Sequence, residues 1–141
     1  MSSDRQTLVE SAAARNLNGS ANTVLKTLRV MQPMRIHRFG VVADAAAGLK
    51  AAMKLKLRRI PVETGTAADI TGAVLNGAAK ARGFGIVKTL DTRETVLDIG
   101  DEIVIAIDTA AGATSTGDVF IEYEPLPFQV YSVPNMVEES S

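Results

Sequence analysis

Cysteine and tryptophan are absent from this 141-residue chain, and histidine occurs once, at His37. Without cysteine there is no disulfide, no thiolate metal site and no cysteine nucleophile. A single imidazole excludes a multi-histidine metal centre. Aromatic residues make up only 4% of the chain, which disfavours a surface that stacks bases or sugars. No apolar run approaches the roughly 18 residues that a transmembrane helix needs. The N-terminus carries Asp4 and Arg5 and has no apolar signal segment. These absences point to a soluble protein made in a reducing compartment. What is present is 46% hydrophobic residues in a length that suits one domain with a modest core.

Net charge is −1, but the charges are segregated. Residues 26–59 hold nine basic residues and one acid, Asp44, whereas residues 60–141 hold four basic residues against thirteen acids. Two arrangements follow. Basic strands lie beside acidic ones within one sheet and pair across it, or opposite poles of the fold meet complementary subunits. Nucleic acid is a poor partner for a chain of pI near 5.8 whose basic stretch lacks interleaved aromatics.

Residues 3–15 read as a helix. Ser3 with Gln6 fits a capping box, Leu8, Val9, Ala12 and Ala13 form an apolar stripe, and Asn16, Asn18 and Gly19 end it. Strand patterning follows in Thr23–Met31 and in Met34–Val42, where Gly40 suggests a bulge or bend. Ala52–Val62 alternates strictly, with Met53, Leu55 and Leu57 facing in and Lys54, Lys56 and Arg58 facing out. Glycines punctuate 64–83, which reads as a loop with a short strand or a single helical turn. Phe84–Leu90, Glu94–Ile99, Glu102–Thr109 and Asp118–Leu126 complete the strands, with a tight turn at Gly100-Asp101. Seven or eight short strands joined by small-residue loops predict an all-β fold, a jelly-roll-like antiparallel sandwich or a barrel. The expected organisation is an N-terminal helix and arm over 1–21, a sandwich over 22–128 and a tail over 129–141.

The chemical inventory is thin. His37 alternates outward beside Arg35 and has no second imidazole to join it. Glu122 and Glu124 share one strand face at about 7 Å, a spacing compatible with glycoside hydrolysis but equally with an ion-paired face. There is no nucleophile elbow, and neither Gly83-Phe84-Gly85 nor Gly65, Gly72 and Gly77 completes a nucleotide-binding motif. No enzyme and no cofactor are expected. The best interaction candidates are Lys54, Lys56, Arg58 and Arg59, three of them on one strand face, although lysines on a strand also serve to guard an edge.

Thr95–Thr109 (TVLDIGDEIVIAIDT), a small-residue loop and Gly117–Phe128 (GDVFIEYEPLPF) resemble the closing strand pair of the jelly-roll cement proteins that decorate tailed-bacteriophage heads. The likeness is strongest to the dimeric cement proteins of Bordetella-type short-tailed phages. The resemblance implies a non-enzymatic virion protein on the outer capsid surface, made in the host cytoplasm. It implies homodimers that bridge major capsid protein subunits, with no membrane or nucleic-acid partner. It offers no residue motif to carry over. Under this reading, reversing Lys54, Lys56 and Arg58 should lower shell occupancy without unfolding the domain, and deleting residues 1–20 should leave the sandwich folded but weaken attachment. The competing reading is a ligand- or receptor-binding sandwich module of a virion.

Overall fold

A computed structural model describes residues 7–90 and 96–126. They form nine strands: β1 (Leu8–Asn16), β2 (Val24–Arg29), β3 (Met34–Ala43), β4 (Lys54–Ile60), β5 (Ala68–Asn76), β6 (Gly85–Thr89), β7 (Val96–Leu97), β8 (Glu102–Thr109) and β9 (Thr116–Pro125). All pairings between these strands are antiparallel. One sheet runs β1-β9-β3-β6, with the short β7 also on β3, and the other runs β2-β8-β4-β5. Apart from β7, this is the strand order of a jelly roll, in which consecutive strands alternate between two four-stranded sheets except for the hairpin of β4 and β5. No helix of the described residues is long and apolar enough to cross a membrane.

Alternation decides which side chains meet in the core. β4 sends Leu55 and Leu57 inward, β8 sends Ile103, Ile105 and Ile107, and β3 sends Ile36, Phe39 and Val41; all are fully buried. The other face of β8 is covered as well. Val104 and Ala106 are buried, and in register they lie opposite Arg58 and Lys56 of β4, whose aliphatic stems run beside them.

The N-terminal helix expected over 3–15 is corrected: residues 8–16 are an edge strand of the first sheet. Alanine favours helix, but the open edge of β9 offers a full ladder of backbone partners, and tertiary pairing overrides propensity. Leu8, Glu10 and Ala12 pair with Tyr123, Ile121 and Val119, which puts them on the core side. A bulge at Ala12/Arg15 is held by Ala14, at φ 54°, whose N–H donates to Asp118 Oδ1 at 2.8 Å. Leu17, just past the strand, is fully buried. The sandwich therefore begins upstream of residue 22, and the expected tail over 129–141 lies outside the described residues.

Two smaller expectations change. The ambiguous stretch 64–83 contains the nine-residue β5. Its alternation is hidden by a bulge around Gly72 (φ 76°), which lets both Ile70 and Ala73 reach the core. The irregularity in β3 falls at His37, not Gly40. Gly40 serves a different end: a Cβ there would lie 2.4 Å from Ile86 O and 2.6 Å from the Phe120 ring, so the aromatic side chain lies across bare backbone.

Candidate functional site

The four basic residues singled out in β4 do not form one patch. Lys54 is exposed and has no ion pair among the described residues. Lys56 and Arg58 stand on the outer face of the second sheet, where a common acid from the neighbouring strand meets both. Asp69 of β5 accepts from Lys56 Nζ at 3.2 Å and from Arg58 Nε at 2.8 Å. Asp108 of β8 flanks Lys56 from the other side at 3.7 Å. The Lys56 side chain is only 9% exposed, so its charge is held among strand neighbours and not offered to solvent.

Arg59 points the other way, to the end of the sandwich. There its Nε and Nη2 donate to Asp101 Oδ2 at 3.1 and 2.7 Å. Asp101 is 1% exposed and gathers more than one element. Its Oδ1 accepts from Val62 N–H at 3.0 Å and its Oδ2 from Asp98 N–H at 3.2 Å. Its carbonyl accepts from Val30 N–H at 2.9 Å. One residue, through its carboxylate and its carbonyl, thus ties the end of β4, the turn into β8 and the residue after β2. Nothing in the sequence marked it beyond its place in a Gly-Asp turn.

The remaining charge pairs follow the same rule. Arg29 pairs with Glu102, Arg38 with Glu122, and His37 Nε2 meets Glu124 Oε1 at 3.0 Å. Each of these ion pairs joins the basic segment 26–59 to the acidic segment 60–141. The internal arrangement of the segregated charge is therefore the one realised among the described residues. Glu122 and Glu124 are an ion-paired strand face, not a free carboxylate couple.

Burial pushes the Asp69 carboxyl up, but the hydrogen bonds and charges of Lys56 and Arg58 outweigh it and hold the group below its ordinary 3.8. A depressed native value stabilises the fold fully above the unfolded value and loses that contribution as pH falls through the native one. The Tm advantage of the wild type over Asp69→Asn should accordingly shrink below pH 3.8 and be flat above it. Because the Asp69 side chain is 55% exposed, that advantage is expected to be under about 1 kcal/mol. Lys56 is a stronger probe. Lys56→Glu places a third carboxylate beside Asp69 and Asp108 in a buried slot and should cost about 3–5 kcal/mol in denaturant melts, whereas Lys56→Met should stay within about 1 kcal/mol of wild type. The expectation that a triple reversal including Lys56 spares the fold is thereby replaced: only Lys54 reverses without touching the network.

No group of three or more potential metal ligands occurs among the described residues. A cleft of about 250 Å³ opens between β1 and β2 and is lined by Leu8, Glu10, Leu28, Arg29, Met31, Met34, Tyr123 and Pro125 among others. Burial, and then the Glu10 carboxylate, push the Tyr123 phenol above its ordinary 10.0, so it stays protonated at neutral pH and is no base. The cleft is smaller than the roughly 300–1,000 Å³ of ordinary ligand sites.

No protein-family profile matches the chain, and no curated protein matches it. Among solved structures, the Tobacco streak virus coat protein aligns over 92% of this chain and 91% of that one, at 11% identity and a TM-score of 0.36. At that distance the strand order itself carries the fold assignment.

Proposed function

We propose that this protein is a structural component of a virion, a cement protein that binds the outer surface of a bacteriophage capsid and bridges major capsid protein subunits as a homodimer. The observation that carries this reading is the place of the resembling segment in the fold. Residues 94–128 supply β8, an interior strand of one sheet, and β9, an interior strand of the other. The likeness to phage cement proteins thus falls on the strands around which both sheets are built, and the strand order is that of a jelly roll. The charge economy supports it too. A cement protein works without an active site; it needs a rigid body, polar faces and contacts whose individual weakness is offset by avidity over a lattice. Here the charged clusters are spent on holding the sandwich together, and the outward-facing charge left on β4 is Lys54.

Lys54 is then the residue of the original four best placed to contact a shell. Lys54→Glu should lower occupancy on capsids stripped of the protein by about tenfold at limiting concentration, the effect of one rim charge multiplied by neighbouring sites. Circular dichroism should show an unchanged melt. Full occupancy at limiting concentration would remove Lys54 from the contact.

A further inference from the structure

Apart from the two-residue β7, which lies on β3 alone, the two sheets have four edge strands among the described residues, β1 and β6 in one and β2 and β5 in the other. An open edge exposes a row of backbone donors and acceptors, and natural sheets guard such edges with bulges, charges or prolines. Three of these four are bulged. β1 is bulged at Ala12/Arg15, β2 between Val24 and Lys26, and β5 opposite Lys56/Arg58. β6 is not: its five residues pair with β3 in unbroken register from Arg38↔Thr89 to Val42↔Gly85. It contains no proline, and its one charge is Lys88.

We infer that β6 is the edge through which two copies of this chain join, antiparallel, about a two-fold axis at Val87. The hydrogen-bond phase limits the register. Ala43 N–H donates to Phe84 O at 2.9 Å and Leu90 N–H to His37 O at 2.8 Å. By alternation, Ile86 and Lys88 spend their backbone groups on β3, and those of Gly85, Val87 and Thr89 face the open edge. An axis at Val87 sets Val87 opposite the partner's Val87 and Gly85 opposite the partner's Thr89, and each such pair exchanges both bonds. An axis at Ile86 or Lys88 would pair only two of these three open residues with each other and leave Thr89 or Gly85 without a partner in the strand.

The side chains agree with that register. Lys88 falls opposite the partner's Ile86, so the one charge of the strand meets an apolar residue, whereas an axis at Lys88 would place two ammonium groups face to face. Val87, 47% exposed, meets its own copy. Beside it, Val42, Gly85, Val87 and Phe120 line a shallow apolar depression of about 110 Å³, and Phe84, 65% exposed, stands at the end of the strand. The interface is isologous and closed, and it joins the two first sheets into one continuous sheet. Five paired residues bury less than the roughly 1,200 Å² of a standard interface, so the free dimer should dissociate in the micromolar range.

This deepens the dimeric part of the proposed function, and it is tested on the isolated chain with no capsid present. Failure here leaves the cement reading standing, and failure of particle association leaves the dimer standing. The absence of cysteine makes the test clean. Sedimentation equilibrium should show a monomer–dimer exchange for wild type. Val87→Lys should raise the dissociation constant at least tenfold with an unchanged circular dichroism melt. Val87→Pro, which removes a donor aimed at the open edge, should do the same. Val87→Cys should oxidise to a covalent dimer, and Thr71→Cys on the bulged β5 edge should not. A wild type that stays monomeric to about 500 µM, or a dimer that survives Val87→Lys without a Val87→Cys cross-link, would overturn the assignment.

Discussion

Asp101→Ala should lower stability by about 3–5 kcal/mol, the cost of stripping one partner from a buried ion pair. The reason is the number of groups that lose a partner at once. The Arg59 guanidinium, Val62 N–H and Asp98 N–H all donate to this one carboxylate at 2.7–3.2 Å. With Asp101 itself 1% exposed, water does not replace those bonds without opening the end of the sandwich. For a domain of this size the loss corresponds to a fall in Tm of about 10–20 °C. Asp101→Asn keeps an acceptor for Val62 N–H and should cost less. Equilibrium urea unfolding of the three proteins checks the order. A loss under about 1 kcal/mol for Asp101→Ala would mean that Arg59 and the turn find other partners.

The second large effect comes from the N-terminus. Deleting residues 1–17 should abolish cooperative unfolding altogether, because it removes an edge strand and the fully buried Leu17 together. The loss is expected to exceed the roughly 5–15 kcal/mol that holds a domain of this class folded. Had these residues been a docked helix or a mobile arm, the sandwich would survive without them. Leu17→Ala isolates the packing part and should cost about 2–5 kcal/mol. A truncated chain that still melts in one sharp transition would show that β9 tolerates an unpaired edge.

The strands that were legible in the sequence are those whose two faces differ chemically. β4 alternates lysine with leucine, and β8 sets isoleucine on the face turned to the core. β1 was illegible because Leu8–Asn16 is rich in alanine, a small residue compatible with either period, and its partner β9 lies about a hundred residues away. β5 was hidden by its bulge at Gly72, which shifts the inward-facing set midway along the strand. Strand order is a property of distant pairings, so periodicity left it open.

The site was legible in part for a related reason. Segregated charge in the chain foretold cross-strand pairs, but which acid meets which base depends on register. Lys56 and Arg58 share a face as expected, yet both converge on Asp69, a residue in the stretch read as a loop. Asp101 reads as a turn residue because aspartate after glycine commonly is one. Only the fold shows that the turn carries it beneath the end of β4, into reach of Arg59.

The central claim is that this chain belongs to an assembled shell. Native source material pelleted through a sucrose cushion, with this chain quantified by peptide mass spectrometry in the megadalton fraction, tests it most directly. The chain is expected there, near-stoichiometric with one larger shell protein. Recovery only in the soluble fraction would contradict it and point instead to a free binding module.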